Sequence, residues 1–260
     1  MLVLWMVFKL GKGSKEARTA AMRAEAAARF RSAEKKLQVT TKDMTSQDTH
    51  QGNISRRGAR AMFVGSSTFT FWTHIDRDMA PVGCLNLAFG GSVTNDLLDH
   101  IDYFTSYLTR DDDQASFVIV YYCGANDISL GQTPRETADG FFRFVQAMER
   151  RVSNKQLKIV YVSIIAGPWQ RYLERDSAAL AANKLVEEFI MDHQNHKKQQ
   201  QEDKSAKSTT RLAYVDVNRD ERFRINWDWY LNDGLHLNDE GHIELGKAIL
   251  PTVQRMIETQ

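Results

Sequence analysis

From residue 59 onward the chain alternates short, near-continuous apolar runs with stretches whose apolar residues recur every three or four positions. The runs are "AMFVG", "CLNLAF", "SFVIVYY", "LKIVYVSI" and "LAYVDV". Strands without polar alternation are what a parallel sheet covered on both faces requires, and the periodic stretches supply the covering helices. In one helix Val93, Leu97, Ile101, Phe104 and Leu108 fall on a single stripe. The next opens with "TPRE": Thr133 can cap it, Pro134 suits its first position and Glu136 can close a capping box. Phe141, Val145, Met148 and Val152 form its buried face. A last helix from about Asp239 turns Leu245, Ile249, Val253 and Met256 inward, with Pro251 a candidate kink and His242 read as a surface residue. Five such strands predict a doubly wound α/β domain over residues 59–260.

Two segments break this pattern. Residues 1–58 comprise an apolar start, "MLVLWMVF", an alanine-rich charged helix over residues 14–38, and a linker rich in turn formers. Eight apolar residues are too few to span a bilayer, and they lack the basic flank and cleavage site of a signal peptide. The helix carries seven basic residues against three acidic ones, but its apolar stripe is mostly alanine. A solvated helix is therefore favoured, and a weak association with a membrane surface is the other reading. The compartment stays open between cytoplasmic and membrane-associated. Residues 193–211, "HQNHKKQQQEDKSAKSTTR", are too polar to pack and predict a disordered surface insertion. Within it His193 and His196 have H-x-x-H spacing, which reads as a frayed helix end rather than a metal site.

Charge narrows the class of partner. The 34 basic and 33 acidic residues nearly cancel, so no chain-wide basic field argues for nucleic acid, and a small-molecule substrate is favoured. Cys84 and Cys123 both lie in apolar runs, where buried free thiols are expected rather than a disulfide scaffold.

Ligands of doubly wound sheets bind outside the carboxyl ends of the strands, so the turns at those ends carry the functional information. After the first strand come Gly65, Ser66 and Ser67, after the second Gly90, Gly91 and Ser92, and after the third Gly124, Ala125, Asn126 and Asp127. The fifth leads into a loop carrying "NDGLHLN", with Asp233 three residues before His236. These are the groups acyl transfer needs: a hydroxyl to attack, an imidazole to take and return its proton, and a carboxylate to fix the tautomer. Backbone N–H groups at a glycine turn and a side-chain amide can stabilise the oxyanion. Asp127 is read as a structural brace of its loop. His236 with Asp233, Asp239, Glu240 and His242 is not a convincing metal set, because H-x5-H does not put both rings on one helical face.

Four blocks in this order, "FVGSST", "NLAFGGS", "YCGANDI" and "NDGLHLN", resemble those of the SGNH (GDSL-type) serine hydrolases over residues 61 to about 257. The resemblance implies a flavodoxin-like three-layer α/β/α sandwich and ester hydrolysis that needs neither metal nor cofactor. It makes Ser67 the nucleophile, Asp233 and His236 the rest of a triad, and Gly91, Asn126 and the Ser67 backbone N–H the oxyanion donors. Thr68 and Trp72 extend the match.

One position departs from the family: Ser66 stands where G-D-S has aspartate. That makes Ser66 the alternative nucleophile, although register favours Ser67. A small acyl ester, acetyl above all, is the expected substrate. A non-catalytic binding module on the same fold, or an acyltransferase using the same acyl-enzyme, are the alternatives. The aromatic residues Trp169, Trp227, Trp229 and Tyr230 reach the same sheet edge, where they either wall the acyl pocket or anchor the loops.

Overall fold

A computed structural model describes residues 59–108, 117–152, 156–200 and 210–258, with side chains to residue 195 in the third stretch. The segments expected over residues 1–58, most of the insertion after residue 200, and the His196 side chain lie outside them. Strand β1 (Ala59–Gly65) is followed by the short helices α1 (Ser67–Thr70) and α2 (Ile75–Asp78). Next come β2 (Gly83–Asn86), α3 (Thr94–Asp99), α4 (Ile101–Thr105), β3 (Val118–Tyr122), α5 (Ala125–Ser129) and α6 (Pro134–Arg151). The chain ends with β4 (Lys158–Val162), α7 (Pro168–Tyr172), α8 (Asp176–Gln200), β5 (Arg211–Val215), α9 (Arg222–Ile225) and α10 (Asp239–Glu258).

The five strands form one parallel sheet in the order β2-β1-β3-β4-β5, the flavodoxin-like winding. Strand side chains alternate between two cores. Ala61, Phe63, Val118, Val120, Val160 and Val162 face one layer, built on α2, α9 and α10. Met62, Val64, Ile119, Tyr121, Ile159 and Tyr161 face the other, built on α3, α4, α6 and α8. Both strand faces are apolar because both are covered, as the unbroken runs require. Register pairs Gly65 with Tyr122, so β1 and β3 end level and their turns emerge side by side.

The "TPRE" capping box forms as its sequence predicts, with Thr133 Oγ1 accepting from the Glu136 N–H at 3.2 Å. Four expectations need correction. The single stripe from Val93 to Leu108 belongs to two short helices, α3 and α4, which meet at His100. The final stripe ends on Ile257, which is buried, while Met256 is only partly so. The predicted insertion begins too early, because α8 runs to Gln200. Near residue 194 the helix is tied to β5 and the residue before it: Gln194 Nε2 donates to the Leu212 carbonyl at 2.9 Å, and His193 Nε2 lies 3.4 Å from the Thr210 carbonyl. Finally, His242 is 2% exposed rather than on the surface. Cys84 and Cys123 are buried free thiols as expected, and burial pushes the Cys84 thiol up to about 12.

Candidate active site

The turn after β1 is set by what glycine alone permits. Gly65 has φ +154°, and a Cβ there would collide with the Tyr122 carbonyl oxygen on the neighbouring strand. With that close approach the Ser66 N–H donates to the same carbonyl at 3.1 Å, and the chain turns directly into α1. Ser66 is buried at the cap position, while Ser67 begins the helix and points its hydroxyl across the sheet edge. Phe69, wholly buried between Phe63 and Tyr122 with ring centroids at 5.1 and 5.5 Å, anchors this one-turn helix in the core.

His236 meets Ser67 from the far end of the sequence. Its Nε2 lies 3.0 Å from Ser67 Oγ, and its Nδ1 lies 2.7 Å from Asp233 Oδ2. A carboxylate can only accept, so Nδ1 carries the ring proton and the Nε2 lone pair faces the serine hydroxyl. Asp233 Oδ1 accepts the backbone N–H groups of Leu235 and His236, both at 2.9 Å. Burial would raise the Asp233 carboxyl, but those N–H donors and the His236 ring hold it below its ordinary value. Gly234 makes the turn between them at φ +63°, where a Cβ would strike the Trp227 ring. The arrangement can take a proton from Ser67 and hand it to a group bound beside it.

The remaining blocks meet at the same place. Gly90 sits where a Cβ would be 3.9 Å from Ser67 Cβ, and Gly91 comes next with φ +81° on the exposed rim. Ser92, to which the sequence pattern assigns no role, ties three loops together. Its Oγ donates to the Gly65 carbonyl at 3.0 Å, and its own carbonyl accepts Asn126 Nδ2 at 2.9 Å. Asp127 is fully buried and accepts the Thr94 N–H at 3.1 and 3.2 Å, the loop brace expected of it. Burial raises its carboxyl to about 6.

His242 holds the turn that carries Ser67 from behind. Its ring stacks on Trp72 with centroids 5.5 Å apart, and its Nε2–H donates to the Thr68 carbonyl at 2.9 Å. Burial keeps its pKa below the ordinary value, against the pull of that carbonyl. Among the described residues no group of three or more His, Cys, Asp or Glu side chains could hold a metal ion, so His242, Asp239 and Glu240 do not gather around His236.

Two spaces lie near this site, and only the first is lined by Ser67. A narrow pocket of about 30 Å³ is lined by Ser67, Asn126, Ile165, Gln170, Tyr230 and Leu235, among others. An open groove of about 540 Å³ is lined by Phe71, Thr73, Leu231 and the start of α10. Phe71, 42% exposed, lines the groove and sets its ring edge-on to His236 at 4.7 Å. Of the four aromatics only Tyr230 lines the narrow pocket. Trp229 packs on Phe223 in the core, Trp227 lies over Gly234, and Trp169 stacks on Tyr172.

The sequence profile of the GDSL-like lipase/acylhydrolase family matches residues 49–249. The chain belongs to that family. Its chemistry is therefore ester hydrolysis. No curated protein matches the hydrolase in sequence. Solved structures match it in fold. A GDSL-like lipase from Bacteroides thetaiotaomicron is 15% identical, covering 84% of this chain and 96% of its own, with a TM-score of 0.54. A carbohydrate esterase family 3 protein from Talaromyces cellulolyticus is 15% identical over 77% of this chain and 98% of its own, with a TM-score of 0.55. A carbohydrate acetylesterase family member from Sinorhizobium meliloti is 12% identical over 77% and 100%, at 0.52.

Proposed function

We propose that the hydrolase cleaves esters of small acyl groups through an acyl-enzyme on Ser67. The observation that carries this reading is the unbroken line from Ser67 Oγ through His236 to Asp233, at 3.0 and 2.7 Å. His236 takes the serine proton as Oγ attacks the carbonyl, and Asp233 stabilises the imidazolium that forms. The Ser67 N–H, Gly91 and Asn126 receive the oxyanion. One Asn126 Nδ2 hydrogen is committed to the Ser92 carbonyl, which orients the amide and leaves the other to donate. His236 then returns the proton to the leaving alcohol, and water repeats the sequence on the acyl-enzyme.

On this reading the two halves of the ester lie in different spaces. The leaving alcohol needs the proton on His236 Nε2, so it lies on the His236 side of Ser67, where Phe71 packs against the imidazole. The acyl group then occupies the narrow pocket next to Asn126. A volume of about 30 Å³ accommodates only about two water-sized groups, which supports acetyl-sized acids over fatty acids.

The test is hydrolysis of p-nitrophenyl acetate, butyrate and octanoate by the full chain, with Ser67→Ala and Ser66→Ala alongside. Loss of turnover in Ser67→Ala alone, and a fall in kcat/KM from acetate to octanoate, are expected. Full activity in Ser67→Ala would refute the nucleophile, and a preference for octanoate would refute the small acyl pocket.

A further inference from the structure

Phe71 stays 42% exposed between two core residues, Phe69 at 0% and Trp72 at 2%. Both neighbours are anchored, Phe69 on Phe63 and Tyr122, and Trp72 through its Nε1–H, which donates to Asp78 Oδ2 at 2.8 Å. The Phe71 N–H itself closes α1 by donating to the Ser67 carbonyl at 2.9 Å. The helix that starts with Ser67 therefore ends on an aromatic residue whose backbone is fixed relative to that serine. Its ring meets His236, with centroids 4.7 Å apart and the two planes at 67°. Packing of this edge-to-face kind is a favoured arrangement of aromatic pairs.

We infer that Phe71 is a positioning residue for the base: it braces the His236 ring so that Nε2 stays aimed at Ser67. The inference rests on reading Ser67 as the nucleophile and His236 as its base. The His236 side chain is 21% exposed, so protein does not close round it on every side. Its bonds to Asp233 and Ser67, at 2.7 and 3.0 Å, are both made by ring nitrogens. Hydrogen bonds weaken steeply only below about 120°, so these two alone leave the ring room to tilt. A second ring packed against it removes that room. The gain matters for rate, because a misplacement of about 1 Å at a reacting group can cost about 100-fold. Since Phe71 belongs to the turn that begins with Ser67, a shift of α1 carries the brace along with the nucleophile, and the two reacting atoms keep their spacing.

The experiment compares wild type, Phe71→Ala and Phe71→Tyr on the full chain by two readouts. One is hydrolysis of p-nitrophenyl acetate; the other is the rate at which a fluorophosphonate with small alkyl groups labels Ser67. Labelling needs Ser67 activated by His236 but expels fluoride, so no leaving alcohol is present to touch Phe71. Phe71→Ala should lower both the labelling rate and kcat/KM by about tenfold, and Phe71→Tyr, which keeps the ring, should restore both. A labelling rate in Phe71→Ala within about threefold of wild type overturns the inference. A loss confined to the ester does so too, because it makes Phe71 a contact for the alcohol, and so does a loss that Phe71→Tyr fails to restore. Should Phe71→Ala be unfolded by circular dichroism, Phe71→Leu, which keeps apolar bulk without the ring, gives the same comparison. If wild-type Ser67 is labelled and Phe71→Ala is labelled as fast, only the role of Phe71 falls; if wild-type Ser67 is not labelled, the nucleophile reading falls with it.

Discussion

Replacing Asp233 by asparagine isolates one property of the site, because asparagine fits the same space but cannot make the same set of bonds. Asp233 Oδ1 holds two backbone N–H groups at 2.9 Å and Oδ2 holds the His236 ring at 2.7 Å. The amide must choose. With its oxygen on the backbone pair, Nδ2–H faces Nδ1 and forces the proton onto Nε2, so the imidazole donates to Ser67 and cannot act as a base. With the amide turned round, two backbone N–H groups lose their acceptor, at about 1–3 kcal/mol each. The first arrangement is preferred, so the fold survives and the tautomer is wrong. A wrong tautomer lowers kcat by about 10⁴-fold in triad enzymes, equivalent to about 5 kcal/mol of barrier. Steady-state hydrolysis of p-nitrophenyl acetate by Asp233→Asn should therefore fall on that order while its melting temperature stays close to that of wild type. Activity within tenfold of wild type, in a folded variant, would refute the tautomer argument and with it the role of His236 as base.

The buried groups give three further expected outcomes. Asp127 is raised from 3.8 to about 6 by burial, so the folded state holds its proton more tightly than the unfolded chain and its ionisation destabilises the fold as pH rises through that window. Urea unfolding should show wild type losing up to about 3 kcal/mol relative to Asp127→Asn between pH 4 and pH 7; an unchanged difference refutes it. His242 has the opposite sign: its folded pKa lies below 6.5, so its contribution is present above that value and is lost as pH falls beneath it. His242→Gln, which can still donate to the Thr68 carbonyl, should lose less stability than wild type from pH 7.5 to pH 5 in the same assay. Gly65→Ala should lower unfolding stability by about 3 kcal/mol or more, since the methyl meets backbone at Tyr122 and cannot be accommodated by a rotamer change; a cost below about 1 kcal/mol would contradict the close approach.

The sheet and the line from Ser67 to Asp233 were legible because they rest on local signals. Unbroken apolar runs identify buried parallel strands, and a turn at each strand end has its own glycine and polar residues. What stayed hidden depends on tertiary neighbours. His242 is in phase with Leu245, Ile249, Val253 and Ile257, so its burial was written in the helical period, but its chemical type argued for the surface. The break at His100 has no proline or glycine to announce it, and an uninterrupted stripe reads as one helix. The stretch of α8 around Gln194 is held by contact with Leu212 and Thr210, which no local composition reveals. Phe71 follows a short helical turn with no period of its own, and only the return of the loop carrying His236 brings the two rings together.

The grip of α10 on the Thr68 carbonyl joins segments 174 residues apart, and His236 reaches Ser67 across 169. During synthesis the serine leaves the ribosome long before its base exists. A nascent chain that stops short of His236 has a hydroxyl with ordinary reactivity, and its nucleophile turn lacks the stacked histidine that seats it. With Ser67 and His236 in the roles proposed, hydrolytic power cannot appear before the segment carrying His236 has been made. On that reading, a product that stops short of His236 is chemically silent.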